Sequence, residues 1–378
     1  MHTHTQLTVQ TFSSLLELEA MAWDVLTDGT PLLSHAFLTA LETSKSVGHG
    51  TGWTPMPLAV FNHQQKLVGA MPLYLKSHSY GEYVFDWSWA DAYARNHMPY
   101  YPKLVSAIPF SPVTSMRLLT DHAAVATLML EALTTLMNQH QLSSAHVLFP
   151  SESCADTLAA QGWLKREGVQ FRWHNAHYPS MDAFLATLSH DKRKKIKQER
   201  KKIAAAGVTC QWILGKDICE ADWDFFFACY CSTYAAHHST PYLTRAFFSE
   251  IGQSMPDNIV LMVAEQDGQR VASALNLFHQ HALYGRYWGA LSYVPNLHFE
   301  LCYYQAQEFC IAHHIEYFEG GAQGEHKLAR GFTPRPTCSY HQIAHPDFAA
   351  AIAQFLTQES SHIAHYTNEL EERVPFKK

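Results

Sequence analysis

Two stretches decide the fold, residues 58–89, LAVFNHQQKLVGAMPLYLKSHSYGEYVFDWSW, and residues 260–290, VLMVAEQDGQRVASALNLFHQHALYGRYWGA. Each runs from an apolar strand through a polar turn to a second apolar strand, a histidine-containing break and an aromatic strand, with Tyr83 in one copy and Tyr287 in the other. An amphipathic helix and a short apolar strand follow in each half. A repeat of this length predicts one supersecondary unit used twice. Two such units would leave a cleft between them, where ligand sites are common.

Composition limits the classes of protein that the chain can be. Its 378 residues are enough for two or three domains of about 150 residues each. Hydrophobic residues make up 47% and charged residues 16%, which argues against a disordered chain. The formal net charge of −7 argues against a protein whose whole surface binds polyanions.

The sequence shows none of the common signals for metal binding, secretion or membrane insertion. The 25 histidines and eight cysteines show no zinc-type spacing, so no metal site is expected. The first residues lack the basic start and apolar core of a signal peptide. No apolar run approaches the roughly 20 residues of a membrane helix. We therefore expect a cytoplasmic protein without a membrane span.

Local patterns predict a mixed α/β sheet covered by helices, and not a regular βαβ array. In the first half the signals are a helix over 35–45, loops and short strands over 77–120, a helix after Asp121 and a strand over 145–149. In the second half they are helices over 182–206, 220–236 and 299–313, a hairpin turn at Asp267–Gly268, strands over 315–319 and 338–344, and a helix beyond Pro346. The predicted domains are residues 1–172 and 173–378.

Three segments of the second half carry a resemblance to a known family. They are the basic helix LSHDKRKKIKQER at 188–200 with Ala206-Gly207-Val208, the hairpin from Val271 to Ala290, and FEGGAQGEHKLARGF at 318–332. With this element order, the chain resembles the GNAT acyltransferase fold in tandem and, within it, the Fem-type transferases that add amino acids to peptidoglycan precursors. GEYVFD at 81–86 and YYPKL at 100–104 are similar to the bacterial FemAB-like branch. The resemblance implies two GNAT-like domains and transfer of an acyl or aminoacyl group.

The loop that would hold coenzyme A departs from the usual GNAT pattern. Enzymes of that fold hold the pyrophosphate with a glycine-rich loop at a helix N-terminus. The equivalent stretch here, GALSYVPNLH at 289–298, has one glycine and a proline. Fem relatives take their acyl group from aminoacyl-tRNA, which needs no such loop. The donor is therefore left open between acyl-CoA and aminoacyl-tRNA.

The segment from Glu319 to Arg330 holds the best candidates for chemistry. Acyl transfer to an amine needs a base for the amine proton and donors for the tetrahedral oxyanion. Lys327 matches the lysine that Fem relatives place near the reacting centre, which implies an oxyanion or phosphate role. The predicted catalytic residues are Glu325, His326, Lys327 and Glu300. The predicted substrate-binding residues are Arg286, Tyr287, His298, Glu319, Gln323, Arg330, Glu82, Asp86, Tyr101 and Lys103.

The basic helix is the candidate surface for nucleic acid or phosphate. Eight Lys or Arg residues lie between Lys192 and Lys202, and its apolar anchors Ile196 and Ile203 are sparse. Such a helix is either simply solvated or contacts phosphates of tRNA or of a nucleotide-linked precursor. The predicted contacts are Lys192, Arg193, Lys194, Lys195, Lys197 and Arg200.

Three functions remain open from the sequence. The first is an acyl- or aminoacyltransferase that acts on an amine, possibly of a peptidoglycan precursor, by direct attack with general base catalysis. The second is a non-catalytic module that binds peptidoglycan or RNA. The third is an acyl-CoA-dependent N-acyltransferase with an unusual pyrophosphate site.

Overall fold

The computed structural model describes residues 7–321 and 324–377. Its contacts divide the chain into two compact units, one of residues 1–168 and 337–364, the other of residues 169–336 and 365–378. The chain leaves the first unit within strand β8 (Leu164–His174), returns within β14 (Thr333–Ile343), and leaves it again within helix α12 (Pro346–Glu372). These two units therefore differ from the predicted domains, 1–172 and 173–378, which have a single boundary.

The first unit contains two sets of paired strands. The strands are β1 (Thr8–Thr11), β2 (Trp53–Pro55), β3 (Leu58–Phe61), β4 (Leu67–Met71), β5 (Leu73–Lys76), β6 (Lys103–Ser106) and β7 (Ser144–Leu148). The helices are α1 (Ala20–Asp24), α2 (His35–Thr43), α3 (Trp87–Arg95), α4 (Ala123–Gln139) and α5 (Glu152–Ala160). One set has the order β1-β3-β4, and the other β2-β5-β6-β7-β14. Pro72 separates β4 from β5, so the chain changes from one set to the other where its backbone lacks an N–H donor.

The second unit has its strands in the order β8-β13-β12-β11-β10-β9. The strands are β9 (Val208–Leu214), β10 (Ile259–Gln266), β11 (Gln269–Phe278), β12 (Ala282–Ala290) and β13 (Tyr317–Glu319). The helices are α6 (Met181–Thr187), α7 (His190–Ala205), α8 (Glu220–Ala236), α9 (Arg245–Ser254), α10 (Leu297–Phe299) and α11 (Gln305–Ala312), with a π-helical turn at Glu300–Tyr304 between α10 and α11.

The two units share their connections. In the first, β5 pairs antiparallel with β6, and β6 is followed by α4 and the parallel strand β7. In the second, β11 pairs antiparallel with β12, and β12 is followed by α10, α11 and the parallel strand β13. The counterpart of the aromatic strand β12 in the first unit is thus β6, which has no aromatic residue, and not the segment at Tyr83. The predicted mixed α/β fold is confirmed.

Two local predictions were wrong. Residues 87–95 form helix α3 inside the segment predicted as loops and short strands, because Trp89 and Tyr93 lie one helical turn apart and are both buried. The helix predicted over 182–206 is two helices, α6 and α7. Leu188 is fully buried and pairs with Phe376, and the Ser189 N–H donates to the Pro375 carbonyl at 2.8 Å. These tertiary contacts hold the backbone extended between the helices.

Candidate functional site

A cavity opens in the second unit where β12 and β13 separate. β12 pairs with β13 only over Ala282–Tyr284. The next residues of β12, 285–288, line a cavity of about 120 Å³ together with 274–276 of β11. The register between β11 and β12 shifts at Leu275/Asn276, which makes Arg286 the extra residue of a β-bulge. Bulges re-aim side chains next to active sites, so this one marks the cavity as a candidate site.

Three predicted substrate-binding residues line this cavity: Arg286, Tyr287 and His298. The Tyr287 ring packs edge-to-face on Tyr230 of α8, with centroids 5.2 Å apart. The His298 ring lies 4.5 Å from the Trp288 ring. Burial, reinforced by nearby positive groups, lowers the pKa of His298 to about 4, so its imidazole is neutral at pH 7.

Lys327 lies directly behind the cavity wall. It belongs to the 3-10 helix Glu325–Arg330, which ends at Gly331 with φ 88°, where a β-carbon would meet the Phe184 ring at 2.4 Å. Its Cδ lies 3.3 Å from the position of a β-carbon on Gly320, a lining residue. Its Nζ donates to the Gly321 carbonyl at 3.3 Å, and the residue is 4% exposed. Burial lowers the pKa of Lys327 to about 8.

His326 reaches the cavity through Tyr303. Its Nε2 lies 2.9 Å from the Tyr303 hydroxyl, and Tyr303 lines the cavity. Burial and the neighbouring cations Arg330 and Lys327 lower the pKa of His326, which favours the neutral imidazole. The thiol of Cys302 also lines the cavity, but burial raises its pKa, so it stays protonated and is a poor nucleophile.

The other charged residues predicted for this segment are ion-paired. Arg330 is 2% exposed, and its guanidinium donates to both carboxylate oxygens of Glu199 at 3.0 and 2.9 Å. The Tyr304 hydroxyl donates to the same carboxylate. The two terminal nitrogens of Arg330 thus donate to Glu199 of α7 and to the His326 carbonyl, whereas its Nε has no hydrogen-bond partner among the described residues. This is the pattern of a buried structural pair.

Glu300 and Arg200, predicted for separate roles, bind each other. The Arg200 guanidinium donates to the two Glu300 oxygens at 3.1 and 2.9 Å, and to Glu308 at 2.7 and 3.0 Å. Gln305 also donates to Glu300 at 2.9 Å. The arrangement links α7 to the helix that follows β12, and it occupies the carboxylate that was predicted to be catalytic.

The remaining predicted acids also have partners. Glu325 is exposed and pairs with Arg373 at 2.7 Å, and it accepts from the Tyr366 hydroxyl at 3.2 Å. Glu319 accepts from Arg172 Nε at 2.7 Å. Gln323 lies outside the described residues. Of the predicted set, the structure therefore brings together Arg286, Tyr287, His298, His326 and Lys327.

Comparison with known proteins shows to which family the chain belongs. The FemAB-like family model, described as peptidoglycan biosynthesis/recognition, matches residues 14–378. The chain belongs to the FemAB-like family. Among curated proteins, none matches this FemAB-like chain significantly.

Solved structures share the fold at low identity. The crystal structure of FemX is 11% identical with a TM-score of 0.56, covering 89% of this chain and 98% of that one. A conserved protein of unknown function from Bacteroides thetaiotaomicron is 10% identical with a TM-score of 0.55, covering 89% and 100%. A tandem GNAT protein from the clavulanic acid biosynthesis pathway is 12% identical with a TM-score of 0.46, covering 90% and 99%. The first two establish a shared fold.

The first unit of the FemAB-like chain brings its four predicted residues into one buried cluster. Lys103 Nζ donates to Ser79 at 2.9 Å, Glu82 at 2.9 Å and Asp86 at 2.5 Å. The Tyr101 hydroxyl lies 2.9 Å from the Ser79 hydroxyl. Burial raises the pKa of Glu82 to about 7. Burial alone would also raise the pKa of Asp86, but the Lys103 ammonium holds it below its ordinary value.

The cluster continues through Tyr100 to two histidines that the sequence analysis missed, His146 and His341. The Tyr100 hydroxyl donates to Asp86 at 2.6 Å. It lies 3.4 Å from Nε2 of His146, whose Nδ1 lies 2.6 Å from Nδ1 of His341. The signal was Ser-x-His in two strands, Ser144 to His146 and Ser339 to His341, which puts serine and histidine on one face of each strand. The polar groups of this cluster bind mainly one another.

The basic helix of the FemAB-like protein, α7, buries one stripe and exposes the rest. Ile196, Glu199 and Ile203 are buried, and Lys194, Lys195, Lys201 and Lys202 are exposed. Lys192 and Arg193 are half-buried, and Lys197 pairs with Asp182 at 2.9 Å. The predicted phosphate contacts therefore remain available at the exposed lysines, whereas Arg200 is occupied by Glu300 and Glu308.

Neither a metal cluster nor a membrane-spanning helix is present in the described part of the FemAB-like chain. Among residues 7–321 and 324–377, no three His, Cys, Asp or Glu side chains come together in a way that could hold a metal ion. None of the helices described there combines the length and apolar character needed to cross a membrane.

Proposed function

We propose that the cavity of the second unit transfers an acyl or aminoacyl group to an amine of a peptidoglycan precursor. The observation that carries the proposal is the buried Lys327 ammonium behind the cavity wall, beside a β-bulge and a strand separation. A cation with a pKa of about 8 is mostly charged at pH 7. In a site of low dielectric it stabilises a developing oxyanion far more than it would in water.

The residues around Lys327 supply the other requirements of direct attack. The amine nitrogen adds to the acyl carbonyl, and Lys327 stabilises the oxyanion of the tetrahedral intermediate. The Tyr303 hydroxyl takes the proton released by nitrogen as it passes its own proton to neutral His326 Nε2. The C–O or C–S bond to the donor then breaks, and the leaving group takes up this proton. Protonated Cys302 argues against an acyl-enzyme.

The donor is the part of the proposal that the site leaves open. Aminoacyl-tRNA would meet the exposed lysines of α7, which suit phosphate contacts. Acyl-CoA would need its pyrophosphate held near 289–298, where Asn296 adopts φ 69° immediately before α10. Precursors linked to nucleotides and charged tRNA both occur in the cytoplasm, and we propose that compartment for the reaction.

Turnover by the full-length protein tests the proposed function. A UDP-linked muramoyl pentapeptide is offered with acetyl-CoA and with tRNA charged with glycine, alanine, serine or lysine, and the acceptor is analysed by mass spectrometry. We expect one donor class to add its acyl mass to an amine of the acceptor. Saturable binding of the pentapeptide without any mass gain would instead support a recognition module, which the family description also covers.

A further inference from the structure

The cavity contains a buried hydrogen-bond donor that the steps above do not use. Asn276 lies on β11, is 2% exposed and lines the cavity. Its Nδ2 has no hydrogen-bond partner among the described residues. Buried polar groups are nearly always paired, so a buried amide without a partner in a cavity wall calls for a ligand or a water.

The backbone around Asn276 leaves space beside its buried amide. Asn276 pairs with Gly285, and the bulge residue Arg286 follows at the register shift. Gly285 has no side chain, so the space between Asn276 and Phe318 is left open. A β-carbon at position 285 would occupy this space, 3.5 Å from Asn276 Oδ1 and 3.0 Å from the Phe318 ring. The cavity thus exists partly because residue 285 is glycine.

We infer that Asn276 is a substrate-positioning residue whose amide donates a hydrogen bond to the carbonyl oxygen of a small acyl group. The inference rests on the proposed function and names its donor class. A neutral amide donor matches a neutral carbonyl. When the amine adds, the same oxygen becomes the oxyanion, and the Lys327 ammonium supplies the opposite charge.

The volume limits the size of that acyl group. The cavity measures about 120 Å³, somewhat less than the roughly 150 Å³ cavity that accommodates benzene. Acetyl, glycyl, alanyl and seryl groups fit such a space, whereas a phenylalanyl group would exceed it. Donors with small acyl groups are therefore the expected substrates.

Removal of the amide tests the inference, and Asn276→Leu is the principal variant. With the small-acyl donor that the wild type uses most efficiently, kcat/KM of Asn276→Leu should be about tenfold to a hundredfold lower than that of the wild type. The thermal midpoint should stay unchanged or rise, because the variant removes a buried amide that lacks a partner. If Asn276 only supported the fold, Asn276→Leu would lower the thermal midpoint and leave kcat/KM unchanged. Unchanged kcat/KM in a folded Asn276→Leu protein overturns the inference.

Two further variants keep the test decisive if Asn276→Leu does not fold. Asn276→Asp keeps the shape but replaces the donor with an acceptor, so it should lose kcat/KM as well. Ser273→Ala is the matched control, since Ser273 is fully buried on the same strand. Among residues 7–321 and 324–377, its hydroxyl also has no hydrogen-bond partner, and Ser273 is not one of those that line the cavity. It should leave kcat/KM unchanged, and an equal loss in Ser273→Ala would overturn the inference.

A binding measurement separates this inference from the proposed function. Saturation-transfer NMR reports binding of N-acetylglycinamide to the full-length protein without any turnover. Turnover by the wild type that is insensitive to Asn276→Leu would overturn the inference and leave the function standing. Binding that requires Asn276, in a protein with no turnover in any donor–acceptor pair, would support the acyl site and overturn the transferase function.

Discussion

The charge state of Lys327 sets a pH limit on the proposed reaction. Its pKa of about 8 means that the ammonium is lost as pH rises through 8. We therefore expect kcat to fall above about pH 8. In Lys327→Arg the guanidinium keeps its charge, so the residual activity should persist to higher pH. Measurement of kcat from pH 6.5 to 9.5 checks this. If the pH profiles of wild type and Lys327→Arg superimpose, the oxyanion role of Lys327 is contradicted.

Arg330 illustrates how a residue chosen for chemistry can serve stability instead. Truncating one partner of a buried pair leaves the other charge unpaired, which costs about 3–5 kcal/mol. Arg330→Met should lower the free energy of unfolding by about this amount, measured by urea denaturation. The double variant Glu199→Gln with Arg330→Met should recover part of the loss, because no buried charge remains. An unchanged urea midpoint in Arg330→Met would refute the structural assignment.

Sequence reasoning at this scale selected one segment for chemistry but could not assign separate roles to its residues. Mixed charge and glycines after a strand pointed to residues 319–330. Of these, Lys327 is buried beside the lining residue Gly320, and His326 contacts the lining residue Tyr303. The partners of Glu300 and Arg330 lie 100 and 131 residues away in sequence. No local pattern reports a pairing over such a separation. Asn276 did leave a signal, as the one amide in the apolar strand VASALNLF.

The exposed lysines of α7 lead to a prediction about tRNA binding by this helix. Neutralising Lys194, Lys195 and Lys201 with glutamine should weaken tRNA binding and flatten its dependence on salt, because fewer counterions are released. The control variant replaces the exposed lysines Lys45, Lys66 and Lys216 in the same way, and it should change neither quantity. Filter binding between 50 and 200 mM salt measures both, and equal affinities for the two triple variants would exclude α7 as the contact surface.

Elements with local signals were predicted well. The hairpin at Asp267–Gly268 is confirmed, with β10 ending at Gln266 and β11 starting at Gln269, and both turn residues have positive φ as an Asp-Gly turn requires. Helix α8 matches its predicted range of 220–236. The break between α6 and α7 was missed because Leu188 and Ser189 are fixed by Phe376 and Pro375, far along the chain.

At the scale of the whole molecule, the buried histidines make stability depend on pH. Burial lowers the pKa of both His146 and His341, the latter to about 3. Below about pH 6.5 these imidazoles bind protons in the unfolded chain but not in the native state. The free energy of unfolding therefore falls as pH drops. Glu82 opposes this, because its pKa of about 7 lets the native state bind a proton first. Taken together, these three groups should contribute a slope of about one imidazole.

The variant His341→Gln isolates this contribution. It should flatten the pH dependence of the free energy of unfolding by an average of about 1 kcal/mol per pH unit between pH 7 and 5, because the unfolded imidazole becomes protonated over that range. His140→Gln, at an exposed position, serves as the control and should leave the slope as it is in the wild type. Urea denaturation at several pH values gives the slopes. Parallel curves for wild type and His341→Gln would show that His341 titrates alike in the native and unfolded states.

The order of strands and helices was predictable because the sequence pattern occurs twice. The contacts between buried polar residues were not predictable. The doubled hairpin pattern predicted two α/β units of one kind, and both share their strand connections. The contact between His146 and His341 joins residues 195 positions apart, on strands whose pairing only the folded chain reveals. The return of residues 337–364 to the first unit had no local signal either.

The central claim is that Lys327 stabilises acyl transfer in the second unit, and one comparison of rates tests it most directly. Transfer to the precursor is measured for wild type, Lys327→Met and Lys327→Arg, each with its thermal midpoint. We expect Lys327→Met to remain folded and to lose about a hundredfold to a thousandfold in kcat, with Lys327→Arg in between. A folded Lys327→Met protein that transfers at the wild-type rate would contradict the account.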